Sequence, residues 1–284
     1  MAIEVAPSGG ALAAEVRGVD LSQPLDAPSV KAIDAAWDRH LVLLFRNQSL
    51  SDPELIALTR RFGELDPPGP NPYGAAFLPE HPELNVISNV KVNGQPIGGL
   101  GAGEAVWHAD MTYLERPPKA SILHALEVPP SGGDTYFANM IAAYEALPTD
   151  LKQAIDGKQA IHDAAHNSTG QLRRGYSETG DVRETPGARH PLAVTHPTSG
   201  RKALFLGRRP HAYVLGLPVE ESEALLDALW EHIDNPAYVY RHKWKVGDVL
   251  MWQNLWVLHR RDPFDDSARR IMHRSQIKGS EAIA

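Results

Sequence analysis

The run Trp107-His108-Ala109-Asp110-Met111-Thr112-Tyr113 decides how this chain is read, together with His259 far downstream. A histidine and a carboxylate one residue apart, joined by a distant second histidine, make a 2-His-1-carboxylate set. Such a set grips one face of Fe(II) and leaves the opposite positions free for a cosubstrate and O₂. Strand geometry explains the spacing. Residues i and i+2 project to one face, so His108 and Asp110 are expected to reach one metal from one strand while Ala109 points away. H-x-D by itself arises often by chance, and its weight comes from what surrounds it.

The flanking chain reads as a β protein with helical cover. Short strands are expected around Ile3-Glu4-Val5 and Ala14-Glu15-Val16-Arg17. Ser29 precedes Val30, Ile33, Ala36 and Trp37, an apolar face at helical spacing. Leu41 to Phe45 is a continuous apolar run, read as a buried strand. Ser51-Asp52-Pro53-Glu54 is a capping box that opens a helix through Leu58 and Phe62. Further strands are expected over 122–128, 134–137, 192–195, 202–206, 238–244, 249–252 and 271–277, with helices over 140–147 and 219–233.

Two segments lack such periodicity. Residues 66–103 are rich in proline and glycine, and 162–190 are polar and glycine-rich. Both are too long for simple connections and read as lid-like loops. No internal repeat is visible. Residues 1–284 are therefore expected to form a single domain, mainly β with flanking helices.

Composition excludes several classes. The chain has no cysteine, which rules out disulfides, cysteine zinc sites, iron–sulfur clusters and thiol nucleophiles. A net charge of -7 leaves nucleic acid without a basic surface. The basic pairs Arg208-Arg209 and Arg260-Arg261 read as solvated loop charges. Met1 to Pro7 lacks a signal-peptide pattern, and no apolar stretch approaches bilayer length. The expectation is a cytoplasmic protein with neither nucleic-acid nor membrane partners.

Near the C-terminus, Arg269-Arg270-Ile271-Met272-His273-Arg274 reads as a strand with Arg270, Met272 and Arg274 on one face. Two inward guanidiniums need anionic partners, which a diacid cosubstrate and an anionic substrate would supply. Two surface arginines on an edge strand fit the pattern equally well. Other histidines carry less. His162 and His166 stand at i, i+4 without the glutamate of a zinc-protease motif and read as a polar segment. His124 reads as a core histidine and His211 as a surface loop. Tyr73 and Tyr113 could line a pocket, although packing is their ordinary role.

Trp107-His108-Ala109-Asp110-Met111-Thr112-Tyr113, Gly132-Gly133-Asp134-Thr135, and His259 with Arg270 and Arg274 together resemble the TauD/TfdA family of Fe(II)- and 2-oxoglutarate-dependent dioxygenases. The likeness extends from Gly18-Val19-Asp20-Leu21 and Arg61-Phe62-Gly63 to Arg274. It implies a double-stranded β-helix (jelly-roll) core and a homo-oligomer, dimer or tetramer. It also implies His108, Asp110 and His259 as iron ligands, and Thr135 with Arg270 on the distal carboxylate of 2-oxoglutarate. Arg274 would lie near both the cosubstrate and the acidic group of a small carboxylate or sulfonate substrate, and Met111 would line the substrate pocket.

The implied reaction consumes O₂ and 2-oxoglutarate and releases succinate and CO₂. It hydroxylates the substrate, with C–O or C–S cleavage where the product is unstable. Three departures stand out. Asp66 stands where the taurine-acting members have a histidine and Glu104 where they have an asparagine, and either would repel a sulfonate if it faced one, which speaks against taurine as substrate. Gln253 replaces the aspartate of Trp-Asp-Asn, which changes a neighbour of the ligands but no ligand. A non-catalytic jelly-roll protein binding metal and 2-oxoglutarate, or a zinc hydrolase, would use the same three ligands.

Overall fold

The computed structural model describes residues 3–68, 76–279 and 283. Its centre is a sheet of eight strands, in the order Glu4–Pro7, Ala14–Arg17, Val42–Phe45, Val249–Gln253, Ala120–Glu127, Ile271–Ile277, Asn85–Ser88 and Gly99–Leu100. A second sheet has four strands, in the order Val239–His242, Thr135–Asn139, Val257–Arg261 and Ala105–His108. The two sheets face each other as the expected jelly-roll core.

The central strands read as unbroken apolar runs because both of their faces are covered. In Val42–Phe45, Val42 and Leu44 point between the sheets, while Leu43 and Phe45 join the opposite cluster. Val249–Gln253 divides likewise, Leu250 and Trp252 inward, Val249 and Met251 outward. The outer face is closed by helices Ala27–His40 and Asp52–Arg60, which contribute Ile33, Trp37, Leu55 and Leu58. Trp37 is 1% exposed, and truncating so large a buried ring to alanine costs about 3–5 kcal/mol.

Helix Asp52–Arg60 opens with the expected capping box, Ser51 N donating to Glu54 Oε2 at 2.7 Å. The preceding helix is capped by Asp26, whose carboxylate accepts the Ser29 N–H at 2.8 Å. Helices Met140–Ala146 and Val219–Ile233 form as expected, and a further helix, Thr149–Ile155, forms in a stretch too short to show a period. No helix among the described residues is long and apolar enough to cross a membrane.

The segment 66–103 is more than a loop. Asn85–Ser88 within it pairs antiparallel with Ile271–Ile277, and Gly99–Leu100 pairs parallel with Asn85–Ser88. The segment 162–190 begins inside the protein, with Ala160 to His166 buried.

Candidate active site

His108 ends the strand Ala105–His108, and His259 lies directly across from it on the strand Val257–Arg261. Their rings face each other with centroids 4.1 Å apart. Asp110 is not on the strand as expected. The strand stops at His108, and Met111 takes a left-handed φ of 52° in the turn that follows.

Asn254 sets that turn. Its Oδ1 accepts the Asp110 N–H at 2.7 Å, and its Nδ2 donates to the carbonyls of Asp110 at 2.8 Å and Pro118 at 2.9 Å. The carboxylate is thereby swung beneath the two imidazoles. Asp110 Oδ1 lies 3.8 Å from His108 Nε2 and 3.9 Å from His259 Nε2.

These three side chains are the only group of three or more such ligands among the described residues that could hold one metal ion. Ligand atoms about 2.1 Å from an ion and at right angles stand about 3 Å apart, and the two Asp110–imidazole distances exceed that by less than about 1 Å. The protonation states fit. His108 Nδ1–H donates to the Val106 carbonyl at 2.7 Å, which turns the Nε2 lone pair toward the centre.

Desolvation holds His108 well below the ordinary imidazole range and His259 down to about 4, so both are neutral. Burial raises the Asp110 pKa, but the Arg274 guanidinium beside it, helped by the Ser121 hydroxyl, holds the carboxyl well below its usual range. Arg274 Nη1 donates to Asp110 Oδ1 at 2.7 Å, and Ser121 Oγ donates to Oδ2 at 2.8 Å. Neutral imidazoles and an ionised carboxylate are the states a divalent cation requires.

A cavity of about 50 Å³ adjoins this centre and is lined by Thr135, Trp252, Arg261, Arg270 and Arg274. Arg270 is 2% exposed, and its Nε and Nη1 have no partner among the described residues. Trp244 Nε1–H donates to Thr135 Oγ1 at 2.9 Å, orienting the hydroxyl. A larger cavity of about 150 Å³ also borders His108 and Asp110, with Met111, Tyr113, Leu172, Arg173 and Arg208 in its wall. Arg274 lines both cavities.

Other sequence readings divide. His124 is a buried core histidine, as expected. His162 and His166 join no metal cluster; His166 bonds Asp163 and stacks on His211 at 4.0 Å. Glu104 lines a neighbouring cavity with His166 and His211, and neither it nor Asp66 is among the residues that line the larger site cavity. Tyr73 lies outside the described residues.

The basic pairs are not all solvated. Arg208 donates from Nη2 to the carbonyl of Asp163 at 2.7 Å, and Arg261 is 6% exposed. Arg260 and Arg209 are less buried: Arg260 lies 3.8 Å over the Tyr136 ring and Arg209 pairs with Glu223 and Asp227. Ser121 carried no local signal in the sequence; Asn254 stands in the Trp252-Gln253-Asn254 run without a role assigned to it, and Arg208 stands in a basic pair read as solvated.

The model of the family described as "Taurine catabolism dioxygenase TauD, TfdA family" matches residues 4–276. The 2,4-dichlorophenoxyacetate dioxygenase of Cupriavidus pinatubonensis, alpha-ketoglutarate-dependent, is 39% identical over 282 residues, 97% of each chain. The (S)-phenoxypropionate/alpha-ketoglutarate-dioxygenase of Sphingobium herbicidovorans is 36% identical, over 99% of this chain and 96% of its own. Among solved structures, AAD-2 in complex with Mn(II) and N-oxalylglycine superposes with a TM-score of 0.81 at 31% identity, covering 100% of both chains. A likeness of this extent in sequence and fold, over a chain that brings two neutral histidines and an ionised aspartate to one point, places this protein in the TauD/TfdA family of Fe(II)- and 2-oxoglutarate-dependent dioxygenases.

Proposed function

We propose that this chain hydroxylates a small anionic carboxylate or sulfonate while converting 2-oxoglutarate and O₂ to succinate and CO₂, with C–O or C–S cleavage where the hydroxylated product is unstable. The observation that carries this reading is Arg270: a buried guanidinium without a carboxylate partner among the described residues, facing a small cavity beside a three-ligand metal centre. Burying such a charge is costly unless an anion joins it, and a 2-oxo diacid brings one.

His108, Asp110 and His259 hold the iron, which when bound supplies the redox chemistry with O₂ and 2-oxoglutarate. Thr135 and Arg270 take the distal carboxylate. Arg274, at the boundary of the two cavities, keeps Asp110 ionised and attracts the substrate's anionic group. Met111 shapes the wall beside the ligands. Trp252 and Phe137 pack against the His259 ring, at 5.0 and 6.2 Å, and keep bulk water from that side.

The reading takes the chain as one domain whose segments 66–103 and 162–190 cover the substrate. Their described parts supply Asn85, Ile87 and Leu100 from the first and Asn167, Leu172 and Arg173 from the second to the cavity wall. The relatives that act on aryloxyalkanoates support trying that class first.

The test is succinate release with Fe(II), ascorbate and 2-oxoglutarate against aryloxyalkanoates, small sulfonates and other carboxylates, with His108→Ala as control. Succinate that rises strongly with one class and vanishes in the variant is the expected result. No turnover with iron bound would leave a non-catalytic binder, and turnover with zinc alone a hydrolase.

A further inference from the structure

We propose that Arg261 is a second guanidinium for the distal carboxylate of the 2-oxo acid, acting beside Arg270, and that it makes the cavity selective for a dicarboxylate. The assignment rests on the 2-oxoglutarate reading of the site.

Arg261 follows His259 by two residues on one strand, so both side chains take the same face. Directly across the sheet, its register partner is Thr135. Thr135, Arg261 and Arg270 all line the same cavity. Arg261 Nη2 donates to the backbone carbonyls of Leu100 and Gly103, and its Nε has no partner among the described residues. Neither Arg261 nor Arg270 forms a salt bridge with a described carboxylate, whereas Arg274 has Asp110.

Arg261 is 6% exposed and Arg270 2% exposed, so both guanidiniums lie largely away from water. Two like charges close together in a low-dielectric pocket repel each other, and one carboxylate between them reverses the sign of the interaction for both. A 2-oxo acid ending in a methyl group leaves both guanidiniums facing hydrocarbon.

Arg261 also fastens the segment Leu100 to Gly103, and its guanidinium lies 5.4 Å over the Phe264 ring. A purely fastening role would not discriminate between two 2-oxo acids that differ only at the far end. That difference supplies the test. Wild type, Arg261→Gln, Arg261→Lys and Arg270→Gln, each loaded with Mn(II), are titrated calorimetrically with 2-oxoglutarate and with 2-oxopentanoate, in which a methyl replaces the distal carboxylate.

The expected result for Arg261→Gln is 2-oxoglutarate binding weakened about 10- to 100-fold, with 2-oxopentanoate changed by less than about twofold. Arg261→Lys, which keeps a charge without the fork, should fall between wild type and Arg261→Gln. Equal losses for both acids, or no loss for either, would overturn the assignment of Arg261 while leaving the cosubstrate reading intact. A wild-type protein that binds metal but not 2-oxoglutarate would overturn both.

Discussion

The Nη1 of Arg274 donates to Oδ1 of Asp110 at 2.7 Å, the same oxygen that faces both ligand imidazoles. The guanidinium therefore holds the carboxylate of the candidate metal site ionised and fixes its direction, in addition to any contact with substrate. Arg274→Gln removes the charge and lets the Asp110 pKa rise. Metal affinity is expected to fall about 10- to 100-fold, the usual range for loss of such a supporting partner. Equilibrium dialysis of Mn(II) measures it, and the loss should deepen as pH is lowered and protons compete for the carboxylate. Unchanged dialysis curves would confine Arg274 to substrate binding.

Asn254 predicts a stability effect separate from chemistry. It is fully buried and makes three hydrogen bonds to backbone groups of Asp110 and Pro118. Asn254→Ala strands those groups, at about 1–3 kcal/mol for each one left unsatisfied, less whatever water replaces. Unfolding in urea should lose about 2–4 kcal/mol, and metal affinity should fall with it because the turn that aims Asp110 loosens. A variant as stable as wild type would mean that another group holds the turn.

The candidate site could be picked out because H-x-D, a later histidine past an apolar run and two arginines four apart occur together in the order of the TauD/TfdA pattern, although none of them is decisive alone. The alternation of central strands was legible only as continuous apolar runs, since burial on both faces erases the polar beat. The sequence shows Asn254 within the Trp252-Gln253-Asn254 run but not its contact with Asp110, 144 positions away, and Ser121 is an ordinary serine within an apolar strand. Arg261 was misread for a different reason. An Arg-Arg pair suggests solvent, whereas counting two residues on from His259 puts Arg261 on the ligand face. The strands within 66–103 are two to four residues long, below the length at which periodicity speaks.

Acid should unfold the protein through its buried histidines as well as its carboxylates. His162 is 1% exposed with neither ring nitrogen partnered among the described residues, and desolvation, then His190 and Arg208, holds its pKa well below the ordinary range. A histidine depressed in the folded state binds its proton better in the unfolded chain. Its contribution is present above the unfolded pKa of about 6.5 and is lost as pH falls toward the folded value. His162→Leu removes that proton from the balance. The slope of stability against pH below about 6.5 should flatten by up to about 1.4 kcal/mol per pH unit. Urea midpoints measured from neutral pH downward decide this, and parallel slopes in the two proteins would contradict it.

Arg270 sets function against stability. Its guanidinium is 2% exposed, lacks a described carboxylate partner and faces Arg261, so the ligand-free protein carries an uncompensated charge. Replacing it with an apolar side chain of similar length removes that cost. Arg270→Met should stabilise the ligand-free protein by about 1–4 kcal/mol, as when buried ionic groups give way to packed hydrocarbon. The same substitution should abolish the gain that 2-oxoglutarate gives. Mn(II)-loaded wild type should melt progressively higher as 2-oxoglutarate is added, because a ligand bound only by the folded state stabilises it by mass action. Melting curves with and without 2-oxoglutarate test both halves. A destabilised Arg270→Met would show that the guanidinium has structural partners in the ligand-free state. A variant that still responds to 2-oxoglutarate would remove Arg270 from the cosubstrate site.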